Sequence, residues 1–283
     1  MKRLSLFLAF LLCVGLAGCA ETPQGPSASL TTAPSTTTAY VDPTVKTIFV
    51  HTSVTTASDT MDATTEYLYD ENDHLVEVIQ YSGTSQTQRY SVVCDENGNF
   101  IQWNTTVGEL SLSIQYSYDA EGRKLGSSQY HNDELMSSTV YTWNGDLLVQ
   151  TLSVMPAQNS ELCARYTYNS QGIRVREDHL INNVVVRYGI YTNDDSGRVL
   201  TVNYYLSSGV RESLVEYTYE GLTQTKITYA ADGTMQQKAV VTYDEFGNLL
   251  CTQTYDSQNK LISTETHTWK AIQVSIDCPR ASA

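Results

Sequence analysis

The chain has 283 residues, with 17 Lys+Arg against 31 Asp+Glu and a formal net charge of -14. So acidic a protein repels phosphate backbones, and no basic stripe interrupts it, which excludes nucleic acid as a partner. The length leaves room for a sizeable core.

Met1-Lys2-Arg3 is a short positive segment, followed by the apolar run Leu4 to Leu16. The run is too short to span a bilayer as a stable helix and fits the core of a signal peptide. It ends in Leu16-Ala17-Gly18-Cys19. That tetrapeptide resembles the lipobox of bacterial lipoproteins. The resemblance implies that residues 1–18 are a leader cleaved before Cys19. It also implies a diacylglyceryl group on the Cys19 thiol and a protein anchored at the bacterial cell membrane, exposed on its extracytoplasmic side. Two acyl chains, at ~0.8 kcal/mol per buried CH₂, hold durably where one does not.

Residues 19–45 read as a tether, because Pro, Ser, Thr, Ala and Gly dominate Glu21 to Pro43. Such a composition buries too little apolar surface to offset chain entropy. The folded domain is expected over residues 46–277, with 278–283 a short tail. Six cysteines are present, two of them Cys13 and Cys19. The other four, Cys94, Cys163, Cys251 and Cys278, would be exported into a disulfide-permissive setting. Four cysteines allow three pairings, and their places in the repeat do not match, so the pairing stays open.

The domain is organised by a ladder of turn residues: Asp70, Asp95, Asp119, Asn144, Asn169, Asp194, Glu220 and Asp244. A spacing near 25 residues held over eight units marks a repeat architecture. Aromatic residues stand one and three places before most anchors, as in Tyr116-Ser117-Tyr118, Tyr166-Thr167-Tyr168 and Tyr217-Thr218-Tyr219. Period two with aromatic and β-branched residues is a half-buried strand. The tyrosines should therefore share one buried or concave face, and Ser117, Thr167 and Thr218 the solvated one. At the anchors the chain switches to turn chemistry, such as Asp119-Ala120-Glu121-Gly122 and Asp244-Glu245-Phe246-Gly247. The acid or amide accepts backbone N–H bonds, and the glycine supplies positive φ. A second set of turn signals lies midway, at Ser82-Gly83, Val107-Gly108, Asn132-Asp133, Asn182-Asn183, Ser208-Gly209 and Asp232-Gly233. A tyrosine often falls eleven residues after the anchor, at Tyr81, Tyr130, Tyr205 and Tyr255. The expected fold is all-β: an antiparallel meander of about eight two-strand repeats, forming a strongly curved sheet or a partly closed shell.

Tyr-x-Tyr-Asp-x-x-Gly followed by Leu, as in Tyr116 to Leu125 and less closely in Tyr67 to Leu75, resembles the YD repeat of Rhs-type proteins. The resemblance implies β-hairpins coiling into sheets or hollow shells on surface or secreted proteins. No autoproteolysis segment or toxin tail of that family is recognised.

For catalysis, no serine nucleophile elbow, His-Glu-x-x-His helix or phosphate loop is found. His51, His74, His131, His179 and His267 are scattered and share no partner spacing. Acid-rich turns such as Asp70-Glu71-Asn72-Asp73 match no calcium loop. No catalytic residue, metal or cofactor is therefore assigned, and the expected protein is not an enzyme. The expected function is a surface-anchored binding or scaffolding module for a glycan, wall polymer or protein, with the membrane as partner through the lipid. A hydrolase using two carboxylates on the concave face is the second reading. An immunity or chaperone partner of a secreted Rhs-type toxin is the third.

Overall fold

The computed structural model describes residues 45–58, 62–71, 73–95 and 99–275, all within the unit Ala39–Ala283. The leader, Cys19, the tether before residue 45 and Cys278 lie outside the described residues.

The first six strands are β1 (Val45–Ser58), β2 (Asp62–Tyr69), β3 (Leu75–Ser82), β4 (Ser85–Cys94), β5 (Phe100–Val107) and β6 (Leu110–Tyr118). Then come β7 (Lys124–His131), β8 (Glu134–Asn144), β9 (Leu147–Met155), β10 (Ser160–Tyr168), β11 (Arg174–Ile181) and β12 (Val184–Asn193). The last six are β13 (Val199–Leu206), β14 (Arg211–Glu220), β15 (Thr223–Ala230), β16 (Met235–Tyr243), β17 (Leu249–Tyr255) and β18 (Leu261–Ser275). One short 3-10 turn at Pro156–Gln158 joins β9 to β10, and no α-helix occurs among the described residues.

Each strand pairs antiparallel with the next, and β1 also pairs with β18 from Val45↔Ser275 to Ser58↔Ser263. The meander therefore closes into an 18-stranded barrel. This corrects the expected open or partly closed sheet. The eight repeats supply β2 to β17, and the two added strands are the ones that join the ends. Closure pairs the backbone groups that two free edges would leave open, and strand twist brings those edges round to meet.

Turn chemistry is as expected. Asp119 Oδ1 accepts the backbone N–H of Arg123 at 2.8 Å and of Glu121 at 3.1 Å, and Asp244 does the same for Asn248 and Phe246. Gly122 and Gly247 sit at φ +77° and +86°. At the midway turns Asn132, Asp133, Asn182 and Asn183 adopt positive φ, as do Gly83, Gly108, Gly209 and Gly233. Sequence reasoning missed one further turn of the anchor type, Asp256 to Lys260, where Asp256 Oδ1 accepts the N–H of Lys260 at 2.9 Å.

Strand registers fix which side chains share a face. Tyr67, Tyr116, Tyr166 and Tyr217 all fall on one face, and Ser117, Thr167 and Thr218 on the other. Most buried strand residues, including Val78, Val92, Leu112, Tyr141, Val202 and Val215, belong to the tyrosine face. Ser117, Thr167 and Thr218 are exposed. A concave wall crowds side chains and a convex one spreads them, so the tyrosine face is the inner face. Side chains are shielded mainly by neighbours in the same wall, and no described side chain is completely buried.

A single hydrogen bond recurs from unit to unit. At most anchors the residue just before the anchor donates to a backbone carbonyl of the preceding strand. Tyr69 reaches His51, Tyr118 Phe100, Tyr168 Leu148 and Tyr219 Val199, at 2.6–2.9 Å. The Trp143 and Trp269 indoles donate to Lys124 and Leu249 in the same way. Asn193 and Cys94 stand at equivalent positions and donate to Arg174 and Leu75. Most units are thereby tied to the strand before them by the residue at this position, which is aromatic in all but two of these bonds.

Candidate functional site

Cys19, the site residue expected from the sequence, lies outside the described residues. Three arrangements of polar and aromatic side chains remain: one on the outer wall, one inside it, and one at the closure.

On the outer face a row of tyrosines crosses the barrel. Tyr188, Tyr205, Tyr229 and Tyr255 on β12, β13, β15 and β17 occupy neighbouring levels of that face, each half-buried. Tyr188 and Tyr205 stack with centroids 5.2 Å apart. The Arg176 guanidinium lies 4.4 Å from the Tyr188 centroid and is fixed by Asp178, Nη2 to Oδ1 2.6 Å. Glu216 is hydrogen-bonded to Tyr229, and the Lys238 ammonium lies 4.8 Å from the Tyr255 centroid. From β12 to β17 the band spans ~24 Å at ~4.8 Å per strand. Flat rings flanked by charged donors and acceptors suit an amphipathic ligand with one apolar face and a polar rim. The sequence spacing marked Tyr205 and Tyr255 but not their face, because a bulge in each hairpin shifts the phase of alternation, as between Tyr204 and Tyr205.

Inside the wall, Glu177 on β11 is only 7% exposed. It accepts from the Tyr191 hydroxyl at 2.7 Å and pairs with His179 Nε2 at 3.1 Å, and Tyr204 adds a further hydrogen bond. Burial pushes its carboxyl up, but the bonds from His179 and Tyr191 outweigh that and hold it below its ordinary value. Burial and the adjacent Glu177 charge push the Tyr191 hydroxyl far up. The signal was present in the repeat: Glu177 stands eight residues after its anchor, where Val78 and Val202 stand in their units.

At the closure the structure brings together two histidines that sequence reasoning treated as scattered. His51 on β1 and His267 on β18 stack with centroids 5.0 Å apart, and His51 Nε2 is 3.0 Å from His267 Nδ1. His267 Nε2 lies 2.8 Å from Glu265 Oε1. His51 also stacks on Trp269 at 4.4 Å and on Tyr67 at 4.7 Å. Burial, then the neighbouring His267, holds the His51 imidazole down at about 4. Separation by 216 residues along the chain hid this pair.

A cleft of about 580 Å³ beside the anchor turns is lined by Asp95, Asn99, Tyr116, Asp119 and Glu121 among others. Its acids are engaged in turn closure, Asp95 with Asn99 and Asp119 with Arg123. Cys94, Cys163 and Cys251 are free thiols.

No protein-family model and no curated protein matches this chain. Among solved structures it is similar to TcdB2-TccC3 at 12% identity, covering 76% of this chain and 16% of that one, with a TM-score of 0.37. It is also similar to a porin-like protein from Bacteroides vulgatus at 12% identity, covering 78% of this chain and 98% of that one, TM-score 0.36. A protein of unknown function from Bacteroides fragilis is similar at 14% identity over 47% of this chain and 91% of that one, TM-score 0.26. Likenesses this distant carry no argument about function.

Proposed function

We propose that this chain is a lipid-anchored, non-enzymatic binding module that holds an extended glycan or wall polymer along the outer tyrosine band. The observation that carries the reading is the alignment of Tyr188, Tyr205, Tyr229 and Tyr255 on one face between Arg176–Asp178, Glu216 and Lys238. Sugar rings stack on aromatic faces and offer hydroxyls to flanking charges, and a polymer can use several rings at once.

The charge pattern supports a barrel standing in water on its tether. Arg89, Arg165 and Lys238 fall on the outer face within their strands. An Arg or Lys facing lipid at mid-bilayer costs ~2–4 kcal/mol. One observation weighs against the hydrolase reading. The strand carboxylates of the inner face, Glu177 and Glu265, are both held below their ordinary values, Glu265 first by its bond from His267. A glycosidic general acid needs the opposite shift.

The test is retention of the leaderless protein, residues 46–277, on immobilised polysaccharides and wall polymers. Tyr188→Ala and Tyr205→Ala are expected to weaken retention at least tenfold with melting nearly unchanged. Retention by no polymer, or loss of stability in step with retention, overturns the reading.

A further inference from the structure

Among the described residues the closure is the only strand pairing between the two ends of the chain; every other neighbouring pair is consecutive in sequence. No hairpin turn holds β1 to β18; the seam is held by its ladder, from Val45↔Ser275 to Ser58↔Ser263, and by the side chains that meet across it. Beyond Ser53, toward its N-terminus, β1 has β18 as its one described ladder partner. The chain His51–His267–Glu265 sits at this junction, at the end of the shared pairing.

The proton positions follow from the contacts. Glu265 accepts from His267 Nε2–H, so a neutral His267 presents a bare Nδ1, and His51 Nε2–H donates into it. The relay is complete with the pair neutral, and again with one proton on His267, when a neutral His51 carries its hydrogen on Nδ1 and accepts at Nε2. A second proton, on His51, sets two N–H groups against each other across 3.0 Å. That proton also places a cation beside His267 in a site that burial shields from water. The titratable groups facing His51 are Glu265 and His267 on β18 and Tyr67 and Tyr69 on β2. Lys270 and Asp73 pair with each other on the opposite face. Glu265 alone offers a negative charge, and it is already bonded to His267 and Thr56.

We propose that this seam is a proton-operated latch: the barrel is shut while His51 is neutral, and protonation of His51 on acidification releases β1 from β18 while the rest of the wall stays paired. Release would open the inner tyrosine face and free the strand that leads to the tether. Burial, then His267, holds His51 at about 4, against an ordinary 6.5. Because the folded value is the lower one, the closed state loses stability as pH falls from about 6.5 toward 4. His131, also lowered by burial, lies on β7 away from the seam and serves as the internal control.

Hydrogen exchange on the whole chain in detergent tests this. After correction for intrinsic rates, protection in 45–58 and 261–275 is expected to fall at least tenfold between pH 7 and pH 4.5, with β11 to β14 unchanged. His51→Phe, which keeps an aromatic ring in the stack, should remove that fall, and His131→Gln should leave it intact. His51→Gln is the second variant should the phenylalanine prevent closure at pH 7. A uniform fall in all strands, an undiminished fall in both His51 variants, or no fall in the parent overturns the latch.

Discussion

The ring of Tyr204 lies where a side chain at Gly189 would have to go: a Cβ built on Gly189 would stand 3.0 Å from Tyr204 Cε1 and 3.2 Å from Glu177 Cγ. Gly189 does not have positive φ, so its role is space rather than backbone freedom. The bare strand lets Tyr204 lean across β12 and reach Glu177 on β11. Gly189→Ala is therefore expected to destabilise by about 1–3 kcal/mol through overpacking. Urea unfolding should show a lower midpoint at unchanged slope. Tyr204→Leu in the same chain should recover part of the loss, since the obstructing ring is gone.

The repeat was legible because its causes are local. Period two put Tyr116 and Tyr118 on one face, and the Asp119 turn needed only residues up to Arg123. Closure was not legible, because His51 and His267 meet through a register that no neighbouring residue encodes. The outer row was half legible: the eleven-residue offset of Tyr205 and Tyr255 could be seen, but the hairpin bulges that set its face could not. Glu177 was legible in principle as the charged exception at a position held by Val78 and Val202, but only once the units were aligned past their turns.

The turn glycines give a direct check of the phasing. Gly122 and Gly247 hold φ of +77° and +86°, and nothing crowds Gly247. Valine at either position meets backbone strain alone, of about 1 kcal/mol or more. Asparagine, which tolerates the left-handed region, should cost less. Thermal melts of the Val and Asn variants, compared pairwise, separate strain from loss of packing.

In the proposed lipoprotein reading, anchoring rests on Cys19. Cys19→Ala should leave the chain unlipidated and move it from the detergent phase to the aqueous phase in partitioning. A variant that partitions like the parent would remove the lipoprotein reading.

Glu177 makes a pH prediction of definite sign. Its carboxyl lies below the ordinary 4.5 in the folded barrel, so it stabilises the fold above that value and the contribution is lost as pH falls below it. Tyr191→Phe removes the 2.7 Å donor and should raise the carboxyl back toward 4.5. The variant is expected to be less stable by about 1–3 kcal/mol at pH 7. The gap to the parent should narrow in acid, once Glu177 is protonated in both. A gap that stays constant from pH 7 to pH 3 would mean the hydroxyl acts only by filling space.

The unit-to-unit hydrogen bond allows a comparison inside one molecule. The Tyr168 hydroxyl donates to the Leu148 carbonyl at 2.6 Å, whereas Tyr243, the corresponding ring of the seventh linkage, makes a 3.4 Å contact with the Gln224 side chain. Removing a hydroxyl that satisfies a backbone carbonyl leaves an acceptor short of a partner. Gln224 can turn its amide elsewhere, and its Nε2 already bonds Tyr219. Tyr168→Phe should then cost about 1 kcal/mol. Tyr243→Phe should cost a few tenths at most, although the Tyr243 ring is the more buried of the two. If burial of the ring governed these positions, both phenylalanines would be nearly neutral. If the hydrogen bond governs them, the order of cost follows bond quality and reverses the order of burial. Tyr118→Phe and Tyr219→Phe, with bonds of 2.9 Å to Phe100 and Val199, should group with Tyr168.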